Sequence, residues 1–202
     1  VTTPDAGSTQ YEYDADGQVI HVTQANGVTV DTVYDVVGNV LRKTQRDTTG
    51  ALFAQHAYTV DDADRRVQMI EVLPQGTFTT TYTYDALDRL VSSVSSDGRE
   101  TRYAFDDAGN RLKQWGTRLR DGILVEYTLD YDYNAANQLL RAVDSATGST
   151  TYSYDKDGNR TGERSWDRRA RYRYDPESRL TEAHVEVWDD TAWVHKSNIY
   201  ER

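Results

Sequence analysis

The sequence predicts an all-β protein in which tandem β-hairpins form a curled antiparallel sheet, and three observations support this prediction. A tyrosine–aspartate motif recurs along nearly the whole chain of 202 residues. Turn-forming dipeptides lie between the motifs, as expected for successive hairpins. No segment keeps an apolar stripe at the helical spacing of three and four residues, so helices are not expected.

The composition favours a sheet with much wetted surface over a dry two-layer core. The chain has 15 tyrosines, 4 tryptophans, no cysteine and a net charge of −10. Tyrosine combines a large apolar ring with a polar tip that tolerates water. The absence of cysteine excludes disulfides and cysteine-based zinc sites. The acidic balance argues against nucleic acid and anionic membranes as partners, and no apolar run is long enough for membrane insertion by a helix.

The tyrosine–aspartate motif occurs in eight copies, with a mean spacing of 23 residues from Tyr13 to Tyr174. Residues 1–9 are assigned as a leader or linker and residues 10–202 as the repeat array. A ninth copy begins at "IYER", so the array is expected to continue beyond the C-terminus. The copies read "YEYDADGQV" (11–19), "TVYDVVGNV" (32–40), "YTVDDADRRV" (58–67), "YTYDALDRL" (82–90), "YAFDDAGNRL" (103–112), "YDYNAANQL" (131–139), "YSYDKDGNR" (152–160) and "YRYDPESRL" (172–180).

Each motif has the chemistry of a strand that enters a turn. Tyr152 and Tyr154 alternate, which places both rings on one face of a strand. Asp155 can hydrogen-bond its own backbone two residues on and so begin a turn. Gly158, three residues after the aspartate, stands where seven of the eight copies have Gly, Asp or Asn, the residues that best tolerate positive φ. Ser178 is the exception, and its loop is expected to be distorted.

A second, tight turn between the copies, such as "DG" at 97–98 and 121–122, completes a unit of strand, polar loop, strand and turn. Eight units predict roughly sixteen strands and a sheet on the order of 75 Å wide. Open sheets rarely exceed about ten strands without curling, so this sheet should curl, with its tyrosines stacked into ladders. The residues assigned to the structural repeat are Tyr11, Tyr13, Asp14, Gly17, Tyr34, Asp35, Gly38, Tyr82, Tyr84, Asp85, Gly109, Tyr152, Tyr154, Asp155, Gly158, Tyr172, Tyr174 and Asp175.

The repeated "YxYDxxGN" or "YxYDxxxRL" pattern resembles the YD-repeat (RHS-repeat) family, over about residues 10–202. The resemblance implies hairpins that form a β-sheet ribbon, which spirals into a hollow shell. Members of that family are large secreted or cell-surface proteins: toxin subunits, wall-associated bacterial proteins and neuronal adhesion receptors of animals. In the toxin members the shell holds a C-terminal toxic domain.

Three groups of residues have both a structural and a functional interpretation. Acidic pairs such as Asp155 and Asp157 are interpreted as turn residues, because a calcium loop needs further oxygen ligands that are not in register. The basic segment 164–171 is either a solvated strand face or a contact for an anionic glycan. Tryptophans outside the motif either pack within the sheet or stack on a ligand, and they are Trp115, Trp166, Trp188 and Trp193.

The sequence predicts a non-enzymatic protein, with no catalytic residues, cofactor or metal. None of the four histidines lies in a catalytic or metal-binding spacing. The leading hypothesis is a segment of a shell that encapsulates a toxin or other cargo for secretion. Its partners would be further repeats of a larger chain and an enclosed C-terminal cargo. The alternative is a cell-surface adhesion or glycan-binding module, which would contact a glycan or a surface protein.

Overall fold

The computed structural model describes residues 8–200, with side chains to residue 196, and seventeen strands lie within this range. Their bounds are β1 Gln10–Tyr13, β2 Val19–Thr23, β3 Thr29–Tyr34, β4 Val40–Arg46, β5 Leu52–Val60, β6 Arg66–Leu73, β7 Gly76–Tyr84, β8 Leu90–Ser95, β9 Glu100–Phe105, β10 Arg111–Arg120, β11 Ile123–Tyr133, β12 Leu139–Asp144, β13 Gly148–Tyr154, β14 Arg160–Arg164, β15 Arg168–Tyr174, β16 Leu180–Trp188 and β17 Trp193–Tyr200. The all-β prediction is therefore confirmed.

The chain divides into two compact units, Val1–Glu100 and Thr101–Arg202. In the first unit, strands β1 to β8 pair antiparallel in chain order. In the second unit, strands β10 to β17 do the same. Within the described residues, no helix could span a membrane.

Each unit is a single layer of sheet with little dry interior. Strand contacts run between chain neighbours. The most buried apolar residues are Ala54, Tyr127, Ala170 and Ala183, and no large side chain in the described part is completely buried. This agrees with the wetted sheet expected from the composition, because a single layer leaves both of its faces beside water.

A β-bulge that was not predicted from the sequence recurs in the hairpins. Ser153 pairs with Gly162 and Tyr154 pairs with Arg160, so Thr161 is the extra residue in its return strand. A bulge bends its strand and increases the local twist, so each bulge is a local source of the curvature expected from the strand number. The same register shift precedes Tyr13, Tyr34, Val60, Tyr84, Tyr133 and Tyr174.

Candidate functional site: the junction between repeats

The motif aspartate organises the loop of each hairpin. Asp155 Oδ1 accepts the backbone N–H groups of Asp157 at 3.0 Å and Asn159 at 2.9 Å. The Gly158 N–H donates to the Asp155 carbonyl at 3.2 Å. In all eight copies, Oδ1 of the motif Asp or Asn accepts the N–H four residues on. The turn role inferred for these residues therefore has a direct geometric basis.

Positive φ occurs at the expected position of every copy. Gly158 has φ 90°, and Ser178 has φ 60° with the same loop hydrogen bonds as the other copies. The expectation of a distorted loop at Ser178 was wrong. Its side chain has a compensating partner, because Ser178 Oγ accepts a hydrogen bond from Asn159 Nδ2 at 3.2 Å.

The second tyrosine of a motif ties its hairpin to the preceding one. The Tyr154 hydroxyl donates to the Leu139 carbonyl at 2.9 Å. Leu139 begins the return strand β12 of the preceding copy, so this bond crosses from one repeat to the next. The same tie joins Tyr34 to Val19, Tyr84 to Arg66, Tyr133 to Arg111 and Tyr174 to Arg160.

The residue four positions after the motif aspartate links the loops, and we call it the bridging residue. Asn159 Nδ2 donates to Asp155 Oδ2 of its own loop at 3.1 Å and to Ser178 Oγ of the next loop at 3.2 Å. Equivalent bridges join Asp35, Asn39 and Asp64; Asp61, Arg65 and Asp88; and Asp106, Asn110 and Asn137.

The bridging residue was not predicted, although the sequence carries a signal for it. This position holds only residues with a multi-donor amide or guanidinium group: Gln18, Asn39, Arg65, Arg89, Asn110, Gln138, Asn159 and Arg179. Such groups can donate to two acceptors at once. The acceptors also give a reason for the non-glycine residues at the positive-φ position of the motif loop. Each of these four supplies a side-chain acceptor to the preceding bridge: Asp64, Asp88, Asn137 and Ser178.

In the sixth copy, the donor and the acceptor of the hydrogen bond within the loop are exchanged. Asn134 replaces the motif aspartate, and its Nδ2 donates to Gln138 Oε1 at 2.7 Å. Gln138 Nε2 then donates to the Gly158 carbonyl of the next loop at 3.5 Å. A glutamine suits this copy because its amide can accept from the loop asparagine and donate onward.

The first tyrosines lie in a ladder with arginines, which corrects the expected ladder of tyrosine on tyrosine. The Arg111 guanidinium carbon lies 5.7 Å from the ring centre of Tyr103 and 4.9 Å from that of Tyr131. Arg160 lies 5.8 Å and 5.0 Å from Tyr152 and Tyr172, its counterparts. Outgoing strands of successive repeats are two strands apart, about 10 Å, and the return strand between them carries the arginine.

Hydrogen bonds within the loops lower the pKa of several motif aspartates. The Arg65 side chain lowers the pKa of Asp61, and the Asn110 side chain lowers the pKa of Asp106. The backbone N–H of Arg179, followed by its guanidinium group, lowers the pKa of Asp175. On the sheet face, partial burial raises the pKa of Tyr152.

The four tryptophans do not form one site. Trp188 and Trp193 meet edge to face across β16 and β17, with ring centres 5.7 Å apart. Arg169 lies 4.4 Å from the Trp193 ring centre. Trp115 lies beside Lys113 in β10, and Trp166 is 64% exposed in a loop. A ligand-stacking role stays a prediction, for which Trp188 and Trp193 are the best placed.

The four histidines lie on separate strands, and three of them lie beside a carboxylate. His21 Nδ1 is 2.6 Å from Asp31 Oδ1, and His56 Nε2 is 2.9 Å from Glu71 Oε1. His184 stacks on His195 with ring centres 4.5 Å apart. Across the part of the chain that the structure describes, no group of three or more His, Asp or Glu side chains could hold a metal ion.

Comparison with known families agrees with this geometry. The family model of the teneurin YD-shell matches residues 1–114, more than half of the chain. The chain belongs to the teneurin YD-shell family. The RHS repeat model also matches this YD-shell chain, at residues 133–170. No curated protein matches it in sequence.

Several solved structures are similar to this YD-shell chain at low identity. A TcdB2-TccC3-TEV crystal structure is 18% identical over 91% of this chain, with a TM-score of 0.49. A Tc holotoxin pore from Photorhabdus luminescens is 12% identical over 96% of this chain, with a TM-score of 0.44. This chain spans only 12% and 14% of those two chains, respectively.

Proposed function

We propose that this chain is a length of wall in a secreted or cell-surface YD-repeat shell, which encapsulates a toxin or another polypeptide cargo for delivery. The observation that carries the proposal is the repeat junction. Within each unit, hydroxyl ties or bridging residues join successive hairpins by hydrogen bonds. A thin wall needs such lateral joints because it has no second layer against which to pack.

The mechanism would be confinement and not catalysis. Both faces of the sheet carry polar and aromatic groups, so a cargo chain would contact a surface that stays hydrated. Such a surface offers the cargo little apolar area against which to collapse, and apolar burial is the main driving force of folding. The wall would thus hold a cargo that has not folded.

The partners would be further repeats of a larger chain and a C-terminal cargo. Seventeen strands rolled into one closed turn would give a diameter of only about 26 Å. That is too narrow to enclose a protein domain, so enclosure requires more hairpins of the same kind. Membership in the YD-shell family supports this partner.

Intact-mass spectrometry of the full-length protein, purified natively from its own cells, tests the proposal. We expect a second, separately cleaved polypeptide that co-purifies and is released only by denaturation. A single uncleaved chain with nothing enclosed would contradict encapsulation, and surface adhesion would then become the better account.

A further inference from the structure

We infer that the second unit binds an acidic carbohydrate in a groove on the sheet face opposite the motif tyrosines. The groove lies over β14, with β13 and β15 on either side, and has a volume of about 380 Å³. The hydroxyl and guanidinium groups that line it belong to Ser153, Thr161, Arg164, Arg169 and Arg171. This inference does not depend on the proposed shell.

The groove exists because Gly162 forms its floor. A Cβ atom at Gly162 would lie 2.6 Å from Ser153 Oγ, so a side chain here would fill the space. The glycine is peculiar to this copy. The residue seven positions after the motif Asp or Asn is larger in every other copy: His21, Arg42, Gln68, Ser92, Lys113, Arg141 and Glu182.

Two guanidinium groups at the groove have no acidic partner among the described residues. Arg169 is held by Glu186, with Nη2 3.1 Å from Oε1. Arg164 and Arg171 form no ion pair in the described part of the chain, and Arg171 faces His184 across the strands. Glu163 also lines the groove, but its carboxylate is paired with Arg168 at 3.2 Å. With three arginines against one paired glutamate, the groove is locally cationic on a chain of net charge −10.

These groups suit the oxyanion of a sugar. Guanidinium groups bind carboxylate and sulfate through paired N–H donors. Ser153 Oγ and Thr161 Oγ1, 3.2 Å apart, offer hydroxyls beside them. Arg171 also lines a second groove with Arg173, Glu182 and His184. Glu182 is paired with Arg173 at 2.9 Å there, so a neighbouring sugar unit that lies across about 10 Å of strands meets Arg171 as the unpaired cation. A long polyanion would instead meet the acidic remainder of the chain and be repelled.

Calorimetric titration with a sulfated heparin octasaccharide tests the inference on the full chain. We expect Arg164→Gln and Arg171→Gln each to weaken binding by about tenfold, the usual effect of losing a hydrogen bond to a charged group. Arg120→Gln, an equal charge change at the exposed end of β10, is the matched control and should change Kd by less than about twofold.

A second variant separates groove shape from charge. Gly162→Gln gives this copy the residue of the third copy, so the fold should persist while the filled groove loses the octasaccharide. Circular dichroism checks the fold. The inference is overturned if Arg120→Gln weakens binding as much as the groove variants, or if an octasaccharide that is both desulfated and carboxyl-reduced binds equally well. It is also overturned if the octasaccharide does not bind, or if a polyglutamate peptide binds more tightly.

Discussion

The tie from Tyr154 to the preceding repeat can be measured by two substitutions at one position. Tyr154→Phe removes only the hydroxyl that donates to Leu139 at 2.9 Å, and a hydrogen bond of this kind contributes about 1 kcal/mol. Tyr154→Ala also removes the part-buried ring. A buried apolar area of about 100 Å² is worth about 2.5 kcal/mol, and a compact unfolded state reduces this to about 2 kcal/mol. The alanine variant should therefore lose about 3 kcal/mol in total.

Urea unfolding followed by circular dichroism gives both free energies of unfolding. Tyr13 is the matched control, because it is the equivalent tyrosine of the first copy and is 58% exposed. Tyr13→Ala should cost much less than Tyr154→Ala. A loss below about 0.5 kcal/mol for Tyr154→Ala, the usual surface value, would refute the reasoning, as would equal losses for the phenylalanine and alanine variants.

Three further predictions follow from the repeat junction. Val60→Tyr supplies the hydroxyl that the third copy lacks, so the free energy of unfolding should rise in a urea titration by up to about 1 kcal/mol; no gain would contradict the tie. Ser178 has a positive φ of 60°, which glycine adopts freely and a β-branched residue does not. Ser178→Val should therefore destabilise the protein by at least about 1–2 kcal/mol more than Ser178→Gly; equal urea midpoints for the two variants would argue against strain there. The lowered pKa values of Asp61 and Asp106 add stability above their ordinary pKa of 3.8, and this stability should be lost as pH falls below that value. Urea midpoints measured from about pH 6 to pH 3 should fall mainly at the acid end, and Asp61→Asn should flatten the fall; a midpoint independent of pH would contradict the pKa shifts.

The repeat unit could be predicted from the sequence because its signals are local. Tyr152 and Tyr154 alternate at the strand period, and Asp155 and Gly158 occupy turn positions whose chemistry depends only on nearby backbone. The loop at Ser178 was misjudged for the opposite reason. Its side chain is hydrogen-bonded by Asn159, a residue of the preceding copy. A prediction from the φ preference of a single residue type does not include such a partner.

The contacts between repeats could not be predicted from the sequence, because they depend on how the strands are arranged in space. The place of Arg111 between Tyr103 and Tyr131 follows from the return strand that separates two outgoing strands. The bulge at Thr161 leaves no clear residue signature, so its register could not be read from the sequence. The groove floored by Gly162 likewise depends on which side chains of β13 and β15 lie beside it.

Cryo-electron microscopy of the full-length protein that carries these residues tests the central claim most directly. The account predicts that hairpins such as 152–160 form the wall of a closed cavity, with density for a cargo chain inside it. An open sheet with solvent on both faces, and no enclosed chain, would contradict it.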